Sequence, residues 1–163
     1  MVDELELWSE FNVAIVGAAA ALAGLVIVAA SVNIREIIQA RTLTARLAAA
    51  IAALVLAIIV SALGLVPSIA AGWFGWIVLA CALVAGVFQV NATRVIATDP
   101  ATEDRARIAK SVLGFLPIVA YLAAGGAVLL GHPSGLYLAA AGALVAITAT
   151  LLLSWIVLVE VLR

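Results

Sequence analysis

Polar positions along this chain are clustered, and apolar positions run uninterrupted between the clusters. No Asp, Glu, Lys or Arg occurs over the 24 residues from Phe11 to Ile34, the 47 from Leu47 to Thr93, or the 49 from Ser111 to Val159. About 20 apolar residues carry a helix across a hydrocarbon core, where each backbone N–H and C=O must be satisfied within its own segment. The first stretch therefore holds one crossing and each of the longer two holds a pair. Turn signals, Gly64-Leu65-Val66-Pro67-Ser68 and Gly131-His132-Pro133-Ser134-Gly135, sit near the middle of the long stretches. The pattern predicts five helices, over about 11–33, 45–65, 72–93, 107–130 and 136–160. A membrane β-barrel needs polar and apolar residues in alternation. Ala48–Val60 shows none and is rich in alanine, the strongest helix former. The predicted fold is all-α, a polytopic helix bundle forming a single transmembrane domain over 1–163.

Composition agrees. Hydrophobic residues make up 67% of the chain and charged ones 10%, with a mean hydropathy of +1.33. A soluble domain is about half apolar and a quarter charged, so a water-soluble globule is excluded. The net charge of −1, without a basic block, leaves no footprint for nucleic acid. A single cysteine, Cys81, precludes an intrachain disulfide.

Orientation is read from the basic residues. Arg35, Arg41 and Arg46 lie between the first two predicted helices. Arg94, Arg105, Arg107 and Lys110 lie between the third and fourth, and Arg163 follows the fifth. Five crossings gather all 8 on one face, which the positive-inside rule makes cytoplasmic, with the N-terminus outside and the C-terminus inside. The opposite face receives Asp3, Glu4, Glu6, Glu10 and the interfacial aromatics Trp8, Trp73, Trp76 and Tyr137. The acidic N-terminal region and the long first apolar stretch argue for a retained helix rather than a cleaved signal peptide. Asn33 to Arg41 is expected to continue the first helix, and Thr98-Asp99-Pro100 to cap the start of the fourth. The Pro-Ser pairs of the two hairpins hint at a duplicated unit.

Small residues recur at packing spacing: Gly17, Ala21, Gly24, Val28, Ser31 and Arg35 on the first helix, and Ala49, Ala53, Ala57 and Ser61 on the second. The third carries Gly75, Ala82, Gly86, Gln89 and Thr93, and the fifth Gly142, Ala146, Thr150 and Ser154. Close backbone approach drives helix association in lipid, and one five-helix bundle is too small to use every stripe, so a homo-oligomer is expected. Pro117 interrupts the fourth helix and frees the carbonyl of Leu113. Tyr121, one turn on, is expected to find a hydrogen-bond partner in Thr148 or Thr150. Ser31, Asn33, Arg35, Gln89, Asn91, Thr93, Arg94, Ser154 and Glu160 gather toward the cytoplasmic end. They form either a hydrated helix-end network, with Glu160 paired to Arg35, Arg94 or Arg163, or the polar vestibule of a conduit.

Catalytic chemistry finds little support. His132 has no spaced partner for a metal, Ser134 beside it lacks an acid, and turn formation accounts for that pentapeptide. No cofactor or metal is expected, and Cys81 reads as an apolar filler.

Trp8 and Phe11, Gly17–Leu25, Ser31-Val32-Asn33-Ile34, Leu65-Val66-Pro67, Leu116-Pro117, Gly135-Leu136-Tyr137 and the ending Leu158–Arg163 together resemble a family of small actinobacterial membrane proteins. Members carry the label "modulator of FtsH protease". The resemblance implies a bacterial cytoplasmic-membrane location and contact with a membrane-anchored protease. The expected role is a non-catalytic, self-associating accessory or regulatory partner of a membrane complex. The alternative is a homo-oligomeric ion channel or small-solute conduit.

Overall fold

A computed structural model describes residues 2–98 and 104–161, all of whose regular elements are helices. They are α1 (Val2–Leu7), α2 (Ser9–Val32), α3 (Ile34–Gln39), α4 (Arg41–Leu63), α5 (Ala71–Ala97), α6 (Asp104–Leu129) and α7 (Ser134–Val161). Five of them, α2, α4, α5, the Ser111–Leu129 part of α6 and α7 to Trp155, are long and apolar enough to cross a membrane. At 1.5 Å per residue, the 23 residues of α4 extend about 35 Å, more than a hydrocarbon core of about 30 Å.

Helix α4 is the centre of the bundle, packing on α2, α5 and α7, while α6 closes the far side between α5 and α7. Its small stripe explains this place, since Ala49, Ala53, Ala57 and Ser61 are all buried. Between α5 and α6 the backbones approach closely at paired glycines. A Cβ on Gly75 would lie 3.2 Å from the carbonyl of Gly125, and one on Gly125 would lie 3.1 Å from that of Gly75.

Both hairpins and the start of α2 share one end. The Trp8 ring meets Tyr137 edge-on at 4.9 Å and Phe11 at 5.5 Å. The 129–134 turn is a Schellman motif: Gly131, at φ 76°, donates its N–H to Val128, and the N–H of His132 reaches Ala127 at 2.9 Å. Proline at 133 then prevents continuation. In the other hairpin the left-handed residue is Ser68, at φ 56°, after Pro67 rather than before it. The two Pro-Ser pairs therefore serve different turns.

Two local expectations are corrected. Helix α2 does not run on through 33–41. Asn33 ends it, its backbone N–H and its side-chain Nδ2 both donating to the Ala29 carbonyl, and α3 follows as a separate short helix. The Thr44 hydroxyl, 2.6 Å from the Ile37 carbonyl, ties α3 to the first turn of α4. Helix α5 continues to Ala97, and Thr98 caps its C-terminal end, donating to the Arg94 and Val95 carbonyls, rather than starting α6. The Asp99-Pro100 part of that expectation lies outside the described residues, as does Arg163. Finally, α1 precedes the first span as a six-residue helix that the apolar pattern does not predict.

Candidate functional site

The end opposite the hairpins carries Arg35, Arg41, Arg46 and Arg94, contributed by α3, α4 and the last turn of α5. Among the described residues, the predicted polar set near this end does not form one cluster. The exposed Ser31 donates to the Ile27 carbonyl at 2.8 Å, and the half-buried Asn33 to that of Ala29 at 3.0 Å, so each serves its own helix. Arg35, Asn91 and Arg94 are exposed on the bundle's outer surface. Ser154 donates to the Thr150 carbonyl, one turn back. The side chain of Glu160 lies outside the described residues.

Gln89 is different. It is 7% exposed and lines a partly open chamber of about 90 Å³ between α4, α5, α6 and α7. Alanine is the commonest residue of the chamber's walls, with Gln89, Thr150 and Arg46 as its polar side chains among the described residues. Gly114 makes the place for Gln89, whose amide occupies the space that a Cβ at 114 would need. Leu113 and Pro117 of α6 line the same space. Alanine on α4, α5 and α7, with Gly114 on α6, is what leaves room there, because larger side chains would interdigitate and fill it.

Tyr121, fully buried one turn beyond Pro117, packs its ring over Gly142 of α7. The expected hydrogen bond to a threonine does not form. Thr148 is exposed and returns its hydroxyl to the Leu144 carbonyl at 2.8 Å, and the Tyr121 hydroxyl has no partner among the described residues. The small Gly142 face draws the ring in, but it offers no acceptor. The Thr93 hydroxyl, one turn from Gln89 on α5, is likewise unpartnered.

Two outer surfaces complete the picture. On α2, Ile15, Ala19, Leu22, Ala23 and Val26 are buried, and at 100° per residue Gly17, Ala21, Gly24 and Val28 fall on the opposite side. Those four are exposed, with open space beyond both glycines. Between α4 and α5 runs a wholly apolar furrow of about 580 Å³, floored by Ala48, Ala52, Val55 and Ile59 and bordered by Cys81 and Phe88. Cys81 is half-buried there rather than enclosed. The aromatics Trp73, Trp76 and Tyr137 stand exposed at the hairpin end, and Trp155 toward the other end is a second exposed ring that sequence reasoning passed over.

An all-helical chain with five membrane-length spans, charges confined to its ends and an apolar outer surface defines a multi-pass membrane helix bundle. The chain matches no protein family, no curated protein and no solved structure with which it was compared.

Proposed function

We propose that this chain is a non-catalytic bacterial cytoplasmic-membrane protein that self-associates and serves as an accessory or regulatory partner of a membrane complex. The observation that carries the reading is the outward stripe of α2. Three of the four small-residue stripes are spent inside the bundle, whereas Gly17, Ala21, Gly24 and Val28 face away from it. Lipid gains nothing from a glycine surface, and glycine inside a helix costs about 1 kcal/mol relative to alanine. A second helix against that stripe turns the missing side chains into close backbone contact. The basic end supports a cytoplasmic placement, with the hairpins and Trp8 on the outer side. The place of His132 within a helix cap supports the absence of catalysis, and the resemblance noted above points to a membrane-anchored protease as the partner.

Disulfide trapping tests self-association. Ala21→Cys, combined with Cys81→Ala, is expected to give a cross-linked dimer in native membranes if two α2 stripes meet. A ladder of larger species that forms only when native Cys81 is present would instead seat the stripe in a neighbour's α4–α5 furrow. Both outcomes support self-association. Monomer alone in either background, together with a monomeric mass in detergent, overturns it.

The conduit reading has one observation in its favour, the chamber beside Gln89. Flux across liposomes containing the purified protein, lost on Gln89→Leu, would favour it over the accessory role.

A further inference from the structure

The chamber bounded by α4, α5, α6 and α7 combines volume with a mixed set of hydrogen-bonding groups. Its lining runs from Arg46 and Ile96 near the basic end to Ala53, Pro117 and Ala146 deeper in the bundle. Ala53 lies twelve residues into α4, about 18 Å along the helix. A water needs on the order of 10–15 Å³ of such space, so about 90 Å³ accommodates several.

Space alone does not attract water, since an apolar cavity of this size stays dry. Here three groups offer hydrogen bonds from three helices. Gln89 of α5 presents an amide that donates and accepts, and Thr150 of α7, 2% exposed, presents a hydroxyl that does both. On α6, proline at 117 supplies no N–H, so the carbonyl of Leu113 loses the partner that a regular helix gives it. Such a carbonyl is tolerated within a membrane where a neighbouring group or a water re-satisfies it. Two further hydroxyls continue the same faces by one turn. Thr93 follows Gln89 toward the basic end, and Tyr121 follows Pro117 inward, both without a partner among the described residues.

We propose that this chamber is a hydration site, occupied by a cluster of waters that enters from the basic end and completes the hydrogen bonding of Leu113, Gln89 and Thr150. Apart from Arg46 at the basic end, the lining is uncharged, and its ligand class is hydrogen-bonding, water or a hydroxylic solute of similar size. An amide, a hydroxyl and a carbonyl together match molecules that both donate and accept. The site is a property of one bundle and does not depend on self-association. It also makes the middle of α6 the wettest stretch of backbone among the five spans.

Two measurements test it together. In a Cys81→Ala background, single cysteines replace Ala53 or Ala146 inside the chamber and Ala57 or Ala143, also buried but outside it. The thiolate, which forms only where water reaches, attacks the sulfenyl sulfur of a methanethiosulfonate and displaces methanesulfinate to leave a mixed disulfide. With 2-aminoethyl methanethiosulfonate, the cysteines at 53 and 146 are expected to react at least tenfold faster than those at 57 and 143. Adding Ala92→Leu, which plugs the chamber, should remove the difference. On the unmodified protein in nanodiscs, hydrogen–deuterium exchange is expected to be faster at 111–121 of α6 than at 74–85 of α5. Equal modification rates at the four positions, or equal protection of the two segments, overturns the proposal.

Discussion

Glycine at 135 shows how much of this bundle is decided by single atoms. A Cβ there would lie 2.9 Å from both the Ala124 carbonyl oxygen and the Val128 nitrogen, backbone atoms of α6 that cannot rotate away. Gly126, nine residues earlier, has nothing within 4 Å of the same position. Gly135→Ala is therefore expected to lower the unfolding midpoint in detergent, by on the order of 1–3 kcal/mol for overpacking. Gly126→Ala should leave it unchanged or raise it, by up to about 1 kcal/mol from helix propensity. Equal losses from the two substitutions would contradict this picture of the α6–α7 contact. The sequence marks both residues as small, but only the packing tells them apart. Gln89 was more legible, because a lone amide at a stripe position of an apolar span has to face the bundle. That Tyr121 turns into the bundle was legible too; its partner was not, since that depended on the rotation of α7.

Elements were read best where punctuation was strong. The Gly131-His132-Pro133 signal marks a helix end in physical terms, a left-handed residue that exposes the last carbonyls followed by one that cannot continue the helix. The break at Asn33 was missed because an asparagine at the end of a helix resembles any polar residue leaving the membrane. Its side chain competes for the Ala29 carbonyl and closes α2 early. Stripes behave the same way: their spacing is visible in sequence, but which neighbour each one meets is not. Two substitutions separate the inner from the outer use. Gly17→Leu with Gly24→Leu is expected to shift the protein toward monomer on size-exclusion chromatography without lowering its unfolding midpoint, since open space lies beyond both positions. Ala57→Leu, at a fully buried site on α4, should cost about 1–3 kcal/mol and scarcely change association in the protein that still folds. A stable monomer from Ala57→Leu, or unfolding from the α2 pair, would reverse the assignment.

For the molecule as a whole, the spacing of charges carried the architecture: three long gaps, two hairpins and five spans. What it left open was the interior, because a chamber exists only where the faces of four helices meet, and no single span encodes that meeting. Composition explains the outside equally well, an apolar surface with exposed rings near both ends and arginines at one of them. The central claim is that the chain crosses the bilayer five times and leaves every basic cluster on the cytoplasmic side. Thiol labelling of intact cells with a membrane-impermeant maleimide tests it most directly, using Ser134→Cys at the hairpin and Gln39→Cys at the end of α3, each with Cys81→Ala. The account predicts that the cysteine at 134 reacts at once and the one at 39 only after permeabilisation; labelling of both from the same side would contradict it.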